Sequence, residues 1–223
     1  MARFEDRTTA GRELAGLVAQ RGVDRPAVVL ALPRGGVPVA VEVARAIEAP
    51  LDVLVVRKLR TPGHAELAFG AVASCGVCWL DPAARVHDRQ EVAYEMEQVR
   101  IRERRYRPPG FAPVPLAGRT AVLVDDGIAT GATVQAAVEA ARLLKAAKVI
   151  VAAPIAPPGA VRMLERSADR VDIVEVRPGF GAVSVLYADF REVPDAQVVT
   201  ALAATQTQPE REAREEARDP DEV

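Results

Sequence analysis

The sequence has few cysteines, few aromatic residues and no long apolar run. Two cysteines in 223 residues exclude a small scaffold built on disulfides. No stretch without a charged residue exceeds 14 residues, the length of Leu67 to Leu80, which contains glycine, serine and cysteine, so no stretch can span a bilayer. Charges also occupy the N-terminal segment where a secretory signal needs its apolar core. These features predict a cytoplasmic protein.

An excess of charge of either sign is also absent. The chain has 29 basic and 31 acidic residues, and its formal net charge at pH 7 is −2. A nearly neutral molecule offers no field that would hold nucleic acid or an anionic membrane, so neither partner is expected. Any anion that the protein binds must therefore be held by a local cluster of groups.

The two cysteines form a single CGVC motif, Cys75 and Cys78, and the chain has two histidines, His64 and His87. A CxxC motif can be a redox pair or half of a metal site. This motif lies in an apolar, strand-like stretch rather than at a strand-to-helix turn, and no second cysteine pair completes a zinc site. We therefore interpret both cysteines as small strand residues and assign no metal ligands.

Short apolar runs alternate with segments of helical periodicity. Strands that alternate with helices form right-handed crossovers and a parallel sheet. We therefore predict an α/β fold, a parallel sheet of about five strands with helices on both faces, and ligands at the carboxyl ends of the strands. The predicted strands are Ala27 to Leu32, Leu51 to Val56, Thr120 to Val124, Val149 to Ala153 and Asp172 to Val176, and the predicted helices are Thr9 to Arg21, Val37 to Ile47, Thr133 to Ala147 and Gly159 to Arg166.

Three further segments complete the chain. Ala68 to Ala73 and Val77 to Leu80 are predicted to pair as a hairpin. Residues 88–107 are predicted to form a charged helical insertion with a narrow apolar stripe. Residues 205–223 contain seven acidic residues and three arginines with almost nothing to bury. We therefore predict a disordered acidic tail after a single domain of residues 1–204.

The most informative segment for chemistry is AVLVDDGIATGAT, Ala121 to Thr133. An apolar strand delivers two adjacent carboxylates, Asp125 and Asp126, to the sheet edge, and a loop with two glycines and two threonines then begins a helix. The loop amides, the hydroxyls and the positive end of the helix suit a phosphate monoester. The carboxylates can accept hydrogen bonds from a vicinal diol. A site for a phosphate beside a site for a diol fits a ribose 5-phosphate.

This motif differs from two common nucleotide sites. A nucleotide P-loop has the pattern GxxxxGK[ST], whereas this loop contains no lysine and its aspartates precede its glycines. The GxGxxG fingerprint of dinucleotide-binding domains is also absent from the motif. The segment VLVDDGIATGAT instead resembles the signature of the type I phosphoribosyltransferases, which bind 5-phosphoribosyl 1-pyrophosphate (PRPP).

The resemblance implies a role for each part of the motif. Asp125 and Asp126 would contact the ribose hydroxyls and take part in catalysis. The following loop would hold the 5-phosphate through Ala129, Thr130, Gly131, Ala132 and Thr133. These assignments carry the family's roles onto matching positions of this chain.

A second segment, ALPRGGVP from Ala31 to Pro38, is similar to the family's pyrophosphate loop. This similarity assigns Arg34, Gly35 and Gly36 to the leaving group, where the glycines permit a close approach of the backbone. Arg57 and Lys58 end the next predicted strand and are expected to face the pyrophosphate as well, with Lys58 as a catalytic cation.

The resemblance also implies a lid and a hood. Residues 61–80 are similar to the hairpin and mobile loop that close over the reaction centre, and Glu66 is expected in that lid. The hood, which builds the acceptor pocket, is expected from residues 3–12 and 177–193, with Phe180 and Tyr187 binding the acceptor by stacking. Lys148 precedes its strand instead of following it, so 6-oxopurines are expected to be poor acceptors unless a backbone amide or an arginine such as Arg177 substitutes.

The arginine cluster at the end of the charged helix, Arg100 to Arg107, has several interpretations. It is a solvated helix surface, a surface that neutralises pyrophosphate, a subunit contact or a face for RNA. The oligomeric state, including a homodimer, is left open.

The function implied by the resemblance is the Mg²⁺-dependent transfer of ribose 5-phosphate from PRPP to a nitrogen nucleophile, such as a nucleobase, with release of pyrophosphate. Mg²⁺ is expected to be held mainly by the substrate and water, as suits an ion that keeps its waters. The alternative is a regulatory protein that binds PRPP or a nucleotide without catalysis, because one fold can serve both uses.

Overall fold

The computed structural model describes residues 2–61, 64–80, 88–107 and 112–204. The helices are α1 (Arg7–Arg21), α2 (Gly36–Ala46), α3 (Arg89–Tyr106), α4 (Ala132–Leu143), α5 (Pro158–Leu164) and α6 (195–204). The strands are β1 (Ala27–Ala31), β2 (Leu51–Val53), β3 (Val56–Thr61), β4 (His64–Ala73), β5 (Val77–Leu80), β6 (Thr120–Val124), β7 (Lys148–Ala156) and β8 (Arg170–Val176). The predicted tail, residues 205–223, lies outside the described residues. Within the described ranges, no helix is long and apolar enough to cross a membrane.

Five strands form the central sheet in the order β2-β1-β6-β7-β8, and all neighbouring strands are parallel. Every residue of β1 and β6 is buried, as is typical of strands covered on both faces. β1 pairs with β6 from Ala27 opposite Thr120 to Ala31 opposite Val124, so the two strands end at the same level. The predicted α/β fold with a five-stranded parallel sheet is confirmed.

Side chains alternate along each buried strand, so apolar side chains project from both faces of the sheet. Helices cover both of these faces. On one face, Val29 and Val122 belong to the same apolar cluster as Leu14 of α1 and Val43 of α2. On the other face, Leu123 belongs to a second cluster that includes residues of α4 and α5. The sheet is therefore buried between two layers of helices, and its carboxyl edge remains available for a site.

The run predicted as one strand, Leu51 to Val56, divides between two sheets. β2 pairs with β1, whereas β3 begins a separate antiparallel sheet of order β3-β4-β5. The Leu54 N–H still donates to a carbonyl of β1, at 3.0 Å, but the Val55 N–H donates to the Ser74 hydroxyl at 2.9 Å. The strand prediction was therefore wrong beyond β2, because the chain changes its hydrogen-bond partner within one apolar run.

The predicted hairpin forms β4 and β5 of this antiparallel sheet. The two strands are joined by a 3₁₀ turn at Ser74–Gly76. Gly76 has a φ of 76°, in the left-handed region that favours glycine. Cys75 and Cys78 are both exposed free thiols in this hairpin, and burial of part of each side chain raises its pKa. No cluster of three or more potential metal-ligating side chains occurs within the residues that the structure describes.

α3, the predicted charged insertion, packs on the antiparallel sheet. Val99 is buried and Val92 and Met96 are partly buried, as the predicted apolar stripe requires. After the helix, Arg107 donates to Asp52 of β2 at 2.7 Å, and the two side chains are 7% and 4% exposed. A buried ion pair is costly to break because one charge then remains without a partner. This pair fixes the end of the insertion to the central sheet.

Other arginines of the cluster are also paired within the chain. Arg104 contacts Glu97 at 2.9 Å, and Arg105 contacts Asp195 of α6 at 2.7 Å. These contacts neutralise part of the positive charge and connect α3 to α6. Much of the cluster is therefore an intramolecular ion-pair network rather than a free basic surface.

Candidate functional site

Asp125 and Asp126 directly follow β6, at the carboxyl edge of the central sheet. The Asp125 N–H donates to the Ala152 carbonyl of β7 at 3.3 Å, which continues the strand pairing by one residue. The Asp126 N–H donates to Asp125 Oδ1 at 2.9 Å. These bonds fix two carboxyl groups at adjacent positions on the edge where ligands bind in parallel sheets.

Asp126 is held by residues of both segments that were predicted to form the hood. Arg7, the first residue of α1, donates from Nε to Asp126 Oδ2 at 2.6 Å. The Tyr187 hydroxyl donates to the Asp126 backbone carbonyl at 2.5 Å. The two segments also bond to each other, because the Phe4 N–H donates to the Leu186 carbonyl at 3.0 Å. Residues far apart in sequence therefore fix both the side chain and the backbone of this acid.

The two acids have different electrostatic surroundings. Burial, followed by the negative charge of Asp126, raises the pKa of Asp125 well above its usual range. Burial also raises the pKa of Asp126, but the contact with Arg7 opposes that shift. Because Arg7 stabilises the carboxylate form of Asp126, we assign the negative charge to Asp126 when the pair carries a single proton.

The threonine loop, residues 127–133, connects the acids to α4. The Ile128 N–H donates to the Ile155 carbonyl at 2.9 Å, which anchors the start of the loop to β7. Gly131 has a φ of 81° immediately before α4, and no side chain caps the helix there. Thr130 and Thr133 are exposed. The loop therefore presents hydroxyls and the amide end of a helix to solvent, an arrangement that suits an anion.

The glycine loop, residues 33–36, packs directly against the acids. The Leu32 N–H before it donates to the Val124 carbonyl at 2.8 Å. A Cβ at Gly35 would lie 2.1 Å from Asp126 Oδ2, and a Cβ at Gly36 would lie 2.5 Å from the Val124 carbonyl oxygen. Both distances are far below van der Waals contact. Glycine is therefore required at both positions for the loop to approach the end of β6.

Arg34 of the glycine loop is paired with acidic side chains near the C-terminal end of the fold. Its guanidinium donates to Glu192 and, at 3.5 Å, to Asp195. The Arg34 and Glu192 side chains are 37% and 75% exposed, so solvent screens their attraction. An incoming anion that binds Arg34 would compete with Glu192.

A cavity of about 450 Å³ brings these parts together. Its lining includes the acidic pair, the glycine loop and Thr133 from the threonine loop. Arg7, Phe190, Glu192 and Val193 also line it. The predicted diol and pyrophosphate regions therefore border one cavity together with one residue of the predicted phosphate region, Thr133. The other predicted phosphate residues, Ala129, Thr130, Gly131 and Ala132, are not among the lining residues, and all ligand contacts remain predictions.

Two predicted pyrophosphate residues, Arg57 and Lys58, lie elsewhere. They are inside β3 of the antiparallel sheet, not at the carboxyl end of a parallel strand, and neither lines the cavity. Arg57 forms an ion pair with Glu95 of α3, which is 3% exposed. Lys58 has the opposite side-chain direction because residues alternate along a strand. The placement predicted for both residues was wrong, because β3 leaves the central sheet before them.

The predicted acceptor residues are part of a small aromatic core. Tyr187 is 5% exposed, and its ring centre lies 5.5 Å from that of Phe4 and 5.1 Å from that of Phe190. Phe180 packs against the same cluster and does not line the cavity. Stacking of an acceptor on Tyr187 was therefore a wrong prediction, because neighbouring rings and burial leave no accessible face. Phe180 has no geometric support as an acceptor residue.

Sequence reasoning missed Arg7, Phe190 and Glu192 as lining residues. Arg7 fell within the predicted hood, but the helix was expected to begin at Thr9 and gave no reason to single out this arginine. The Asp6 side chain accepts from the Thr9 N–H at 2.7 Å, so Asp6 caps α1 and makes Arg7 its first residue. The pattern of an aspartate three residues before a threonine was the available signal.

The basic residues considered for a 6-oxopurine lie outside the cavity lining. Lys148 begins β7 and pairs with Asp24, at the edge of the sheet opposite to the acids. Arg177 pairs with Glu175 at 2.6 Å. The side chain of the predicted lid residue Glu66 lies outside the described residues, as does His87. The lid assignment therefore stays a prediction.

Comparison with known proteins gives consistent matches over most of the chain. A family model described as a phosphoribosyl transferase domain matches residues 4–189. Proteins provisionally named as phosphoribosyl transferases in two strains of Mycobacterium tuberculosis are 45% identical over 214 residues, which cover 91% of this chain and 47% of each relative. The chain thus spans about half the length of these relatives. The crystal structure of TT1426 from Thermus thermophilus is 42% identical, with a TM-score of 0.81, over 91% of this chain and 99% of that one.

The contact between the glycine loop and the acids predicts the effect of a single methyl group. Gly35→Ala should lower the free energy of unfolding by about 1–3 kcal/mol in urea denaturation, because the methyl group overlaps Asp126. Backbone strain does not contribute, since Gly35 already has a φ of −57°. Gly16→Ala is the matched control, because Gly16 lies in α1 with open space around it, and it should raise stability by about 0.5–1 kcal/mol. Equal stability of Gly35→Ala and wild type would contradict the close packing.

Proposed function

The chain belongs to the phosphoribosyltransferase domain family, and from that premise we propose that it transfers ribose 5-phosphate from PRPP to a nitrogen nucleophile with release of pyrophosphate. The observation that supports this proposal is that the acidic pair, the glycine loop and Thr133 of the threonine loop border one cavity. These three parts match the three chemical regions of PRPP, which are a diol, a phosphate monoester and a diphosphate. A substrate bound across all of them would place its anomeric carbon between the loops.

The proposed reaction exchanges one bond at that carbon. A bond forms between the acceptor nitrogen and ribose C1, the bond from C1 to the pyrophosphate oxygen breaks, and the acceptor loses a proton. Positive charge develops on the ribose ring in the oxocarbenium-like transition state, as in other glycosyl transfers. The carboxylates of Asp125 and Asp126 would orient the ribose and stabilise that charge, and the glycine loop would receive the departing anion.

Mg²⁺ suits the donor atoms that are present. Carboxylate oxygens are hard ligands of the kind that Mg²⁺ prefers, and Asp125 has one oxygen that receives no hydrogen bond from Arg7 or from the backbone amide of Asp126. Asp126 likewise has one oxygen, Oδ1, outside its contact with Arg7. The substrate and water would supply most of the ligands, as suits an ion that keeps its waters. The ion would neutralise the charge of the pyrophosphate.

The acceptor is proposed to be a nitrogen nucleophile such as a nucleobase, held mainly by polar contacts. Phe190 is the aromatic residue that lines the described cavity, and its ring is already covered by the Arg7 guanidinium at 3.7 Å. Arg7, Arg34 and Glu192 supply hydrogen-bonding groups around the same cavity. Hypoxanthine and guanine are expected to be poor acceptors, since Lys148 and Arg177 are paired outside the cavity lining.

A direct experiment is to incubate the protein with PRPP, Mg²⁺ and a panel of nucleobases, amines and ammonia, and to assay pyrophosphate. We expect acceptor-dependent release in the wild type. Asp125→Asn should weaken PRPP binding about tenfold or more in calorimetry, because a charge-assisted hydrogen bond to the ribose is lost. Asp24→Asn is the matched control, since Asp24 is an exposed acid paired with Lys148 far from the cavity.

Two results would contradict this proposal. Equal PRPP affinity of Asp125→Asn and wild type would remove the ribose assignment. PRPP binding without pyrophosphate release for any acceptor would contradict the transferase and favour the alternative, a regulatory protein that binds PRPP or a nucleotide.

The pairing of Arg34 with Glu192 generates a separate prediction. Glu192→Gln should strengthen the binding of magnesium pyrophosphate about two- to fivefold in calorimetry, because Arg34 no longer has to leave an exposed ion pair. Glu48→Gln is the control, since Glu48 is an exposed acid near Arg25 at the opposite end of the sheet. Weaker pyrophosphate binding in Glu192→Gln would mean that Glu192 supports the bound state instead of competing with it.

A further inference from the structure

Arg7 reaches the acidic pair from a distant part of the sequence. Its Nε lies 2.6 Å from Asp126 Oδ2, and the two side chains are 11% and 12% exposed. An ion pair this far removed from water is screened much less than a surface pair. Arg7 also lines the cavity itself, so the pair lies at the edge of the proposed substrate site.

Two further contacts hold the Arg7 side chain in this orientation, and a helix cap holds its backbone. The guanidinium donates from Nη1 to the Arg191 carbonyl at 2.9 Å and lies 3.7 Å from the centre of the Phe190 ring. Asp6 caps the helix that Arg7 begins, which fixes the backbone from which the side chain extends. Arg7 is therefore a pre-oriented cation, and little conformational entropy is lost when Asp126 binds it.

The position of the Asp126 carboxylate follows from two close neighbours. Arg7 contacts Oδ2, and the Gly35 backbone approaches the same oxygen so closely that a Cβ there would lie 2.1 Å away. Asp125 has no comparable side-chain cation among its hydrogen bonds in the described residues. The carboxyl group of Asp126 is therefore fixed in position beside a cation, whereas that of Asp125 lacks this partner.

We propose that Arg7 is a positioning residue of the ribose site, which locks the Asp126 carboxylate between α1 and the glycine loop so that it meets the ribose hydroxyls in a fixed orientation. This role rests on the proposed function for its ligand, the ribose of PRPP. Arg7 acts through Asp126 and not by contact with the pyrophosphate. The raised pKa values of the pair are consistent with it, because removal of Arg7 would favour protonation of Asp126.

This role can be tested by calorimetry, which compares the ligand affinities of the Arg7→Gln and Arg3→Gln variants. Arg3 is a matched control, since it belongs to the same segment, pairs with Glu175 at 2.8 Å and lies 4.5 Å from the centre of the Phe4 ring, outside the cavity lining. Arg7→Gln should raise the Kd for PRPP with Mg²⁺ about tenfold and leave the Kd for magnesium pyrophosphate within about twofold. Arg7→Lys, which keeps the charge, should recover most of the PRPP affinity. Arg3→Gln should change neither Kd.

A double-mutant cycle separates positioning from direct binding. In the Asp126→Asn background, Arg7→Gln should weaken PRPP binding by less than about twofold, because the residue through which Arg7 acts is already altered. A full further loss in that background would overturn the proposal in favour of direct contact with PRPP. Equal loss of PRPP and pyrophosphate affinity in Arg7→Gln would overturn it in favour of a general structural role.

A ligand-free measurement distinguishes failure of this inference from failure of the proposed function. A wild-type protein that does not bind PRPP contradicts the proposed function and with it the ribose as the ligand of this site. An NMR titration of the carboxyl groups would then still measure the effect of Arg7 on the pKa of Asp126. Arg7→Gln should raise the pKa of Asp126, because the guanidinium that favours its charged form is lost, and an unchanged pKa would show that Arg7 does not control this acid.

Discussion

The close packing of the glycine loop against the carboxyl end of β6 is the constraint on which the site depends. β1 and β6 pair in register and end together, so the loops that follow them leave the sheet at one level. Gly35 and Gly36 then allow the first loop to lie against Asp126 and the Val124 carbonyl. Any larger residue would separate the two loops. The convergence of the acidic pair and the two loops around one cavity follows from this contact.

The burial of two adjacent carboxyl groups is electrostatically unfavourable, and the rest of the fold compensates for it only in part. Arg7 offsets the charge of Asp126, whereas burial and that same charge raise the pKa of Asp125. The ligand-free site therefore contains a carboxyl group that is unfavourable to ionise until a cation or hydroxyl donors arrive. This arrangement is typical of functional sites, where local stability is exchanged for an environment prepared for the ligand.

The sequence predicted the central features because they depend on local patterns. β6 has the predicted bounds, since a continuous apolar run followed by two acids leaves little choice of register. The split of Leu51 to Val56 escaped prediction, because the bond from Val55 to Ser74 joins segments that no periodicity connects. The burial of Tyr187 and the position of Arg7 escaped for the same reason, since each depends on contacts between the two ends of the domain. Motifs predicted the loops of the site, and tertiary packing determined which side chains surround them.

The most direct measurement of the central claim is a crystal structure of the protein with PRPP and Mg²⁺. The ribose 2- and 3-hydroxyls should lie within about 3.2 Å of the carboxylates of Asp125 and Asp126, as hydrogen bonding requires. The 5-phosphate should bind the amides of the threonine loop, and the pyrophosphate should lie beside Gly35 and Gly36. A complex in which the 5-phosphate binds outside the threonine loop, or in which the ribose hydroxyls face away from both acids, would contradict the central claim.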